Sequence, residues 1–506
     1  MITAQQVKAE YERSRAYKSQ IGVYENARRN ERFFIGDQWY GVNAPKDLDK
    51  PVFNILKRAV SYFTATVVSD DVGFQLSDLA GGGDEYLALI TRQLEGVFES
   101  AQLRAKNRDI VRNGAVDGDG CLYLYFDPNK ETGQPIRGAI EAEVIDNTNL
   151  HFGNPYTDRI ERQPYLIAAV KRSADEIRKE AVLRGMKPDE AAALFLEEEN
   201  DGDETDTRKL MLVRFWKERR KDGVTTVHML KEAGGRIIQK DTDLGCRRYP
   251  FAWFSWDKVK NSCHGQAAVT GLLPNQIFIN KLFAMSMEHV KAMAFPKVIY
   301  NRDMIWDKWN NAPGAAIAVS GDPNRAVAAG FRAPDMSAQV LQMIDKVIAY
   351  TRDTMGASDA VLGNIRPDNT SAILAVQKSA VMPLELQRMA FYSFVEDVVR
   401  IILDLMASHY GVRAVKTEDG GTVLVDHSRL AGMDLRVNVD IGASSYWSEL
   451  MQAQTLDNLF AKGVITDAAD YVESIPGTYL KNKAKLLQTL REKQNAVQTG
   501  GTADEL

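Results

Sequence analysis

Cysteine, histidine and long apolar runs are all scarce in this chain of 506 residues, and each shortage removes a class of function. Cys121, Cys246 and Cys263 are odd in number and far apart, so no disulfide framework is expected and a reducing, cytoplasmic setting fits. The six histidines, His151, His228, His264, His289, His409 and His427, form no His-Glu-x-x-His pair on a helical face. Cys263 and His264 are adjacent rather than spaced as zinc ligands are. No Gly-x-x-x-x-Gly-Lys-Ser/Thr loop is present to cradle a triphosphate, and no Gly-x-Ser-x-Gly elbow to present a nucleophile. No catalytic residue, metal or cofactor is therefore expected.

The stretch from Asn261 to Asn280 has no formal charge, but Asn261, Gln266, Pro274, Asn275, Gln276 and Asn280 would be rejected by a bilayer core. The opening MITAQQVKAEYERSRAYKSQ is polar without an apolar core, so neither a secretory signal nor a membrane anchor is expected. An excess of charge of one sign is also missing. With 63 basic and 68 acidic residues the chain carries −5, too little positive charge to hold nucleic acid through one broad basic face.

What is present is a composition 45% hydrophobic, enough for more than one core. Residues 1 to about 115 read as mostly helical. The period then changes to that of strands in CLYLYFD (121–127), AIEAEVID (139–146), PYLIAAVK (164–171), KLMLVRFWK (209–217) and VTTVHML (224–230), and a mixed sheet is predicted. Asp117-Gly-Asp-Gly resembles the start of a calcium loop, but Cys121 takes the third ligand position and a tight turn into the strand is expected instead. A helical stretch from about Ser173 to Leu196 precedes EEENDGDETD (197–206), whose seven carboxylates in ten residues read as a solvated surface loop.

Farther on, Ile279, Leu282, Phe283, Ser286, Val290 and Met293 recur at helical spacing and predict a helix over about 275–293, with Pro274 at its first turn. KVIY (297–300) and AAIAVS (315–320) suggest a small β subdomain around Trp306 and Trp309. Val340, Leu341, Ile344, Val347, Ile348 and Met355 predict a second amphipathic helix. GNIRPDNTSAILAVQKSA (363–380) then makes a polar loop, after which a helix starting at Asn369 or Thr370 is expected to bend at Pro383 and run past Leu405. VRAVKTEDGGTVLVDHS reads as a hairpin and LRVNVD (435–440) as a strand. Helices are predicted over 446–465, in DAADYVESI and over 481–494, with a tail disordered by composition.

Two N-terminal stretches, ERFFIGDQWYG (31–41) and KPVFNILKRAV (50–60), are followed by NGAVDGDGCLYLYFD (113–127), HGQAAVTGLLPNQIFINKLF (264–283), the order helix, β subdomain, helix, loop, kinked helix, and LFAKGVIT (459–466). That order resembles the portal proteins of tailed double-stranded DNA bacteriophages over nearly the whole chain. The absence of a long helical barrel after 441–506 and the acidic run at 197–206 depart from the pattern. The resemblance implies an α+β portal fold: a mixed β wing with N-terminal helices (1–263), a first stem helix (264–295), a clip subdomain (296–335), a second stem helix (336–356), a tunnel loop (357–369), a kinked long helix returning to the wing (370–440), and a helical crown (441–506).

It further implies a ring of twelve copies at one capsid vertex of the virion. The ring would contact the large terminase subunit, the head–tail adaptor, the major capsid and scaffolding proteins, and passing double-stranded DNA without sequence specificity; no membrane is expected. Asn364, Arg366, Asp368 and Asn369 would face the channel, and Arg302, Asp303, Trp306 and Trp309 would form the clip interface. The residues themselves add one point: between Ala338 and Met382 Lys346, Arg352, Arg366 and Lys378 balance Asp345, Asp353, Asp359 and Asp368, so this stretch has no net attraction for phosphates. The competing class is a cytoplasmic α+β hydrolase or nuclease with an unrecognised site.

Overall fold

The computed structural model describes residues 2–43, 48–68, 73–79, 81, 84–133, 136–195, 208–294, 297–300, 302–305, 319–322, 328–331, 337–354, 382–416, 421–440, 455–465, 467–475 and single positions from 483 to 490. They fall into two compact units, one holding the described residues of 1–68, 94–354 and 382–432, the other those of 73–93 and 433–490.

The helices of the N-terminal third are α1 (Ala4–Gln20), α2 (Val23–Ile35), α3 (Ile55–Val67), α4 (Asp84–Ser100) and α5 (Leu103–Asp117). Thr3 and Asn54 start α1 and α3 by accepting the backbone N–H three residues on. The expectation of a mostly helical third holds except for β1 (Gly73–Asp78), which pairs antiparallel with β14 (Leu435–Asp440) in the second unit.

The strands of the larger unit are β2 (Asp119–Asp127), β3 (Ala139–Ile145), β4 (Leu150–Phe152), β5 (Tyr165–Ser173), β6 (Arg208–Arg219), β7 (Thr225–Ala233), β8 (Arg236–Asp243) and β9 (Phe251–Ser255). The predicted mixed sheet is corrected to two sheets, ordered β3-β2-β9 and β4-β5-β6-β7-β8, with every described pair antiparallel. The reason lies in the connections. Gly234 and Gly235, with φ of 57° and 76°, close β7 onto β8 in a two-residue turn, which only antiparallel strands accept. The helical stretch predicted after Ser173 is α6 (Ala174–Leu183) and α7 (Pro188–Ala192).

Strand β6 shows how one sequence serves two cores. Leu212 and Trp216 join Val7 and Tyr11 of α1 in a buried cluster, while Phe215 packs on Tyr123 and Phe251 of the smaller sheet at ring distances of 6.1 and 5.0 Å. On the α1 side Glu10 holds Arg214 by a 2.7 Å charged hydrogen bond.

The helix predicted over 275–293 begins earlier, as α8 (Ala268–Ala294), so Pro274 stands in its second turn rather than its first. Burial of Val269, Leu272 and Leu273, at roughly 2 kcal/mol each, outweighs the roughly 3 kcal/mol that an internal proline costs. The second amphipathic helix is α9 (Ala338–Thr354), and α10 (Glu385–His409) follows a 3-10 turn that contains Pro383. The bend predicted at Pro383 depends on preceding residues outside those described. The hairpin of β12 (Val412–Lys416) and β13 (Thr422–Asp426) and the helix α11 (Ala468–Ser474) stand where the sequence put them.

Lys18 is fully buried at the end of α1, donating to the carbonyls of Asn147, Thr148 and Leu150 at 2.6, 3.1 and 2.6 Å. It thus ties α1 to the turn before β4. Burial lowers its pKa to about 7. Between that value and the ordinary 10.5 the unfolded chain binds a proton that the folded one does not, so the contribution of Lys18 to stability rises with pH through this window. Lys18→Met should strand three carbonyls, cost about 3 kcal/mol, lower the thermal midpoint, and remove that rise between pH 7 and 10.

Candidate functional site

Strand β10 (Lys297–Tyr300) continues from α8 and pairs antiparallel with β11 (Ala328–Phe331), which leads towards α9. The chain order is thus helix, antiparallel strand pair and returning helix. The two helices run antiparallel, Asn275 near the start of α8 donating to Thr351 near the end of α9 at 3.3 Å. Helix α8, 27 residues and so about 40 Å long, changes character along its length. Up to Ala284 one face is buried; beyond it Met285, Val290 and Met293 are exposed, as are Met343 and Tyr350 on α9.

The base is held by two polar clusters. In the first, Asp119 at the start of β2 accepts hydrogen bonds from Ser255 Oγ of β9 and the Gly265 backbone N–H, both at 2.8 Å, and pairs with His264 Nδ1 at 2.8 Å. All four groups lie at the end of α5, where Gly118 has a φ of 98°. A Cβ on Gly118 would stand 2.7 Å from the Gly265 carbonyl oxygen, and one on Gly265 would stand 3.0 Å from that of Gly118, so the two backbones approach as only glycines allow. The tight turn predicted at Asp117-Gly-Asp-Gly is present, and its function is to receive the segment that becomes α8.

The second cluster is a chain of amides. Gln276 of α8 donates to the Phe53 carbonyl and to Asn280 Oδ1, and its own Oε1 accepts from the Ile55 N–H. Asn280 donates to Gln38 Oε1 at 2.6 Å, and Gln38 donates to the Phe33 carbonyl at the end of α2. Asn54 caps α3 with its oxygen and donates to the Phe34 carbonyl, while Trp39 Nε1 donates to the Pro51 carbonyl. The two N-terminal stretches singled out in the sequence thus clasp each other and α8. Asn30 adds a third tie, donating to the Val116 carbonyl and Thr270 Oγ1.

These amides and Asp119 were not predicted as site residues. The signal available in the sequence is the run of Gln and Asn in an otherwise apolar helix, which by itself argues only against a membrane span. No described helix is long and apolar enough to cross a membrane. Of the predicted site residues, Arg302 and Asp303 are exposed in the turn before the Ile305–Val319 bridge, beyond the β hairpin. Trp306, Trp309, Asn364, Arg366, Asp368 and Asn369 lie outside the described residues.

Asp119, His264 and Ser255 are the residue types of a hydrolase triad, but the geometry differs. Ser255 donates to the aspartate rather than to the imidazole, and His264 Nε2, buried between Phe152 and Trp253, has no partner. The arrangement fixes backbone; it presents no nucleophile. The three cysteines are unpaired, as predicted, and all three are buried; burial pushes the Cys246 and Cys263 thiols up to about 12. Among the described residues Glu218, His228 and Asp241 bring donor atoms together at the open end of the larger sheet, with His228 Nδ1 2.7 Å from the Asp241 carboxylate.

The helical hairpin therefore stands on α2, α3 and α5 and is fixed there by buried polar ties. The family model of the phage P22-like portal proteins matches residues 143–437, from β3 through α8 and α9 to β14, and the chain belongs to that family. It is a phage portal protein. No curated protein matches it in sequence.

The Asp119 cluster predicts a graded result. Asp119→Ala leaves three donors without their acceptor and should cost about 3–5 kcal/mol, read as a lower thermal midpoint; Gly265→Ala should destabilise by forcing the two backbones apart. Equal melting of both variants and the parent would show that the cluster does not fix the base of α8.

Proposed function

We propose that copies of this chain close into a ring, about twelve around, in which the α8–α9 hairpins line a channel for double-stranded DNA at one capsid vertex. The observation that carries this reading is the uncovered apolar stripe on the free half of the hairpin. Met285 is 69% exposed, Val290 56% and Met293 42%, on a helix whose base is tightly fixed. A single copy leaves these groups in water, whereas a neighbour presented by rotation about a ring axis covers them in every copy.

Within this reading the ring engages the large terminase subunit during packaging and the head–tail adaptor afterwards through the clip (296–335), with Arg302, Asp303, Trp306 and Trp309 as contacts. Capsid and scaffolding proteins surround the wing. The segment 357–369 projects into the channel and offers Asn364, Arg366, Asp368 and Asn369 to the duplex. The protein acts in this reading as a structural part rather than an enzyme, since the triad-like cluster among the described residues is wired for packing. A balanced wall suits passage: Asp345, Lys346, Arg352 and Asp353 of α9 cancel, and a wall that gripped phosphate would have to release it at every step.

Two variants test the proposal. Met285→Asp with Met343→Asp should leave the monomer folded, with unchanged far-ultraviolet dichroism, but reduce ring formation at least tenfold by mass photometry; rings at the parental yield would remove the hairpin from the interface. Arg366→Ala should form rings of normal stability but package or retain DNA less well. Parental packaging would deny Arg366 a channel role, and loss of rings would make its loop structural.

A further inference from the structure

Between the two sheets of the larger unit lies a cleft of about 780 Å³ that the portal role does not use. Its size is within the roughly 300–1,000 Å³ of sites that hold small ligands or anchoring side chains. The walls are apolar and contributed by both sheets: Tyr123 and Phe251 from one, Met211, Phe215 and Met229 from the other.

Among the polar groups of this lining, which include Asn149, Lys231, Thr242 and His409, one holds an unanswered buried acceptor. Gln239 of β8 lines the cleft and is only 4% exposed; its Nε2 donates to Thr242 Oγ1 at 3.1 Å, but its buried Oε1 accepts no hydrogen bond. Register shifts between β7 and β8 on either side of Lys231, the residue paired with Gln239, set this stretch of strand off from a regular ladder. A buried acceptor left open is costly, and a ligand that donates an N–H to it recovers that cost. The rim is cationic on balance: Lys171, Arg172, Arg184 and Arg208 are exposed there against the carboxylates of Glu143 and Asp146, with Arg172 also 3.5 Å from Glu180.

We propose that this cleft docks an acidic peptide segment of a partner protein, in which one large apolar side chain enters between the sheets, a backbone N–H donates to Gln239 Oε1, and flanking carboxylates meet the cationic rim. Each part of the ligand answers a separate feature. An apolar body alone would leave Gln239 open, and an anion alone would not fill aromatic walls. The inference does not depend on ring formation or on the channel, because every group in it belongs to one copy.

The test is a display library of random hexapeptides selected on the full-length assembled protein. The expected result is enrichment of acidic peptides with one aromatic or long aliphatic residue. A synthetic peptide of the enriched sequence should bind about tenfold more weakly to Gln239→Leu, which keeps the volume and removes the acceptor. It should also bind several-fold more weakly to Arg184→Ala, lose affinity with added salt, and fail to bind Met229→Trp, which fills the cleft. Thermal melting confirms that each variant is folded, and Gln239→Leu carries the test alone if the tryptophan variant is not. Enrichment of no such class, or of peptides whose affinity is the same for Gln239→Leu as for the parent, overturns the proposal. Loss of rings with peptide binding intact would overturn the channel reading and leave this one standing.

Discussion

The carboxylate of Asp119 is the point on which the arrangement of the larger unit turns. It stands where α5 ends, β2 begins, β9 pairs and the chain departs for α8, and it is 1% exposed. A buried charge of this kind is costly unless every lone pair is answered, and here Ser255, His264 and Gly265 answer them. The consequence is directional. Residues 119, 255 and 265 are far apart in sequence, so the fold gains little from local propensity at this point and relies on one group with three partners to specify a single geometry.

The amide chain through Gln38, Gln276 and Asn280 acts on the same helix by different means. Apolar contacts between α2, α3 and α8 could be satisfied by several small rotations of α8 about its axis, because such contacts are not directional. A hydrogen bond from Asn280 to Gln38 at 2.6 Å, with Gln276 joined to the Phe53 carbonyl and the Ile55 N–H, permits one rotation only. Buried amides cost stability relative to a well-packed apolar seam and supply orientation in return. In the proposed ring, where the free end of the hairpin meets identical neighbours, orientation is the scarcer quantity.

Local order was legible where period or turn chemistry carried it. The strands of β2, β3, β5, β6 and β7, the second amphipathic helix and the glycine turn at Gly118 followed from spacing alone. Strand β9 did not, because FAWFS has no alternation and its partner β2 lies more than a hundred residues earlier. Nor did β8, whose RIIQKDTD is polar; its place is set by the Gly234-Gly235 turn and not by its own pattern. The parallel pairing implied by a mixed sheet failed for the same reason: strand direction is a property of connections. The base of α8 was half legible. Its motifs were visible as stretches, but that Gln38 and Asn280, 242 positions apart, touch is a tertiary fact that a single sequence does not contain. Lys18 also escaped notice, although it lies seven positions after Tyr11 on the face that α1 buries.

The boundary at Ala284 separates two kinds of stability within one helix. Before it, every buried polar side chain of α8 has a partner in the same chain, and the apolar face is covered by α2, α3 and α5. Beyond it, the exposed groups are apolar and half of them methionine: Met285, Met287 and Met293 beside Val290, Ala292 and Ala294. Methionine suits a surface that is first wet and later covered, because its unbranched thioether adapts to a partner without demanding one rotamer. Leucine or phenylalanine at these positions would gain more on burial but would favour premature, irregular association of single copies. The helix is therefore finished at its base by folding and left incomplete at its tip, and the order of the two events follows from where its polar ties stop.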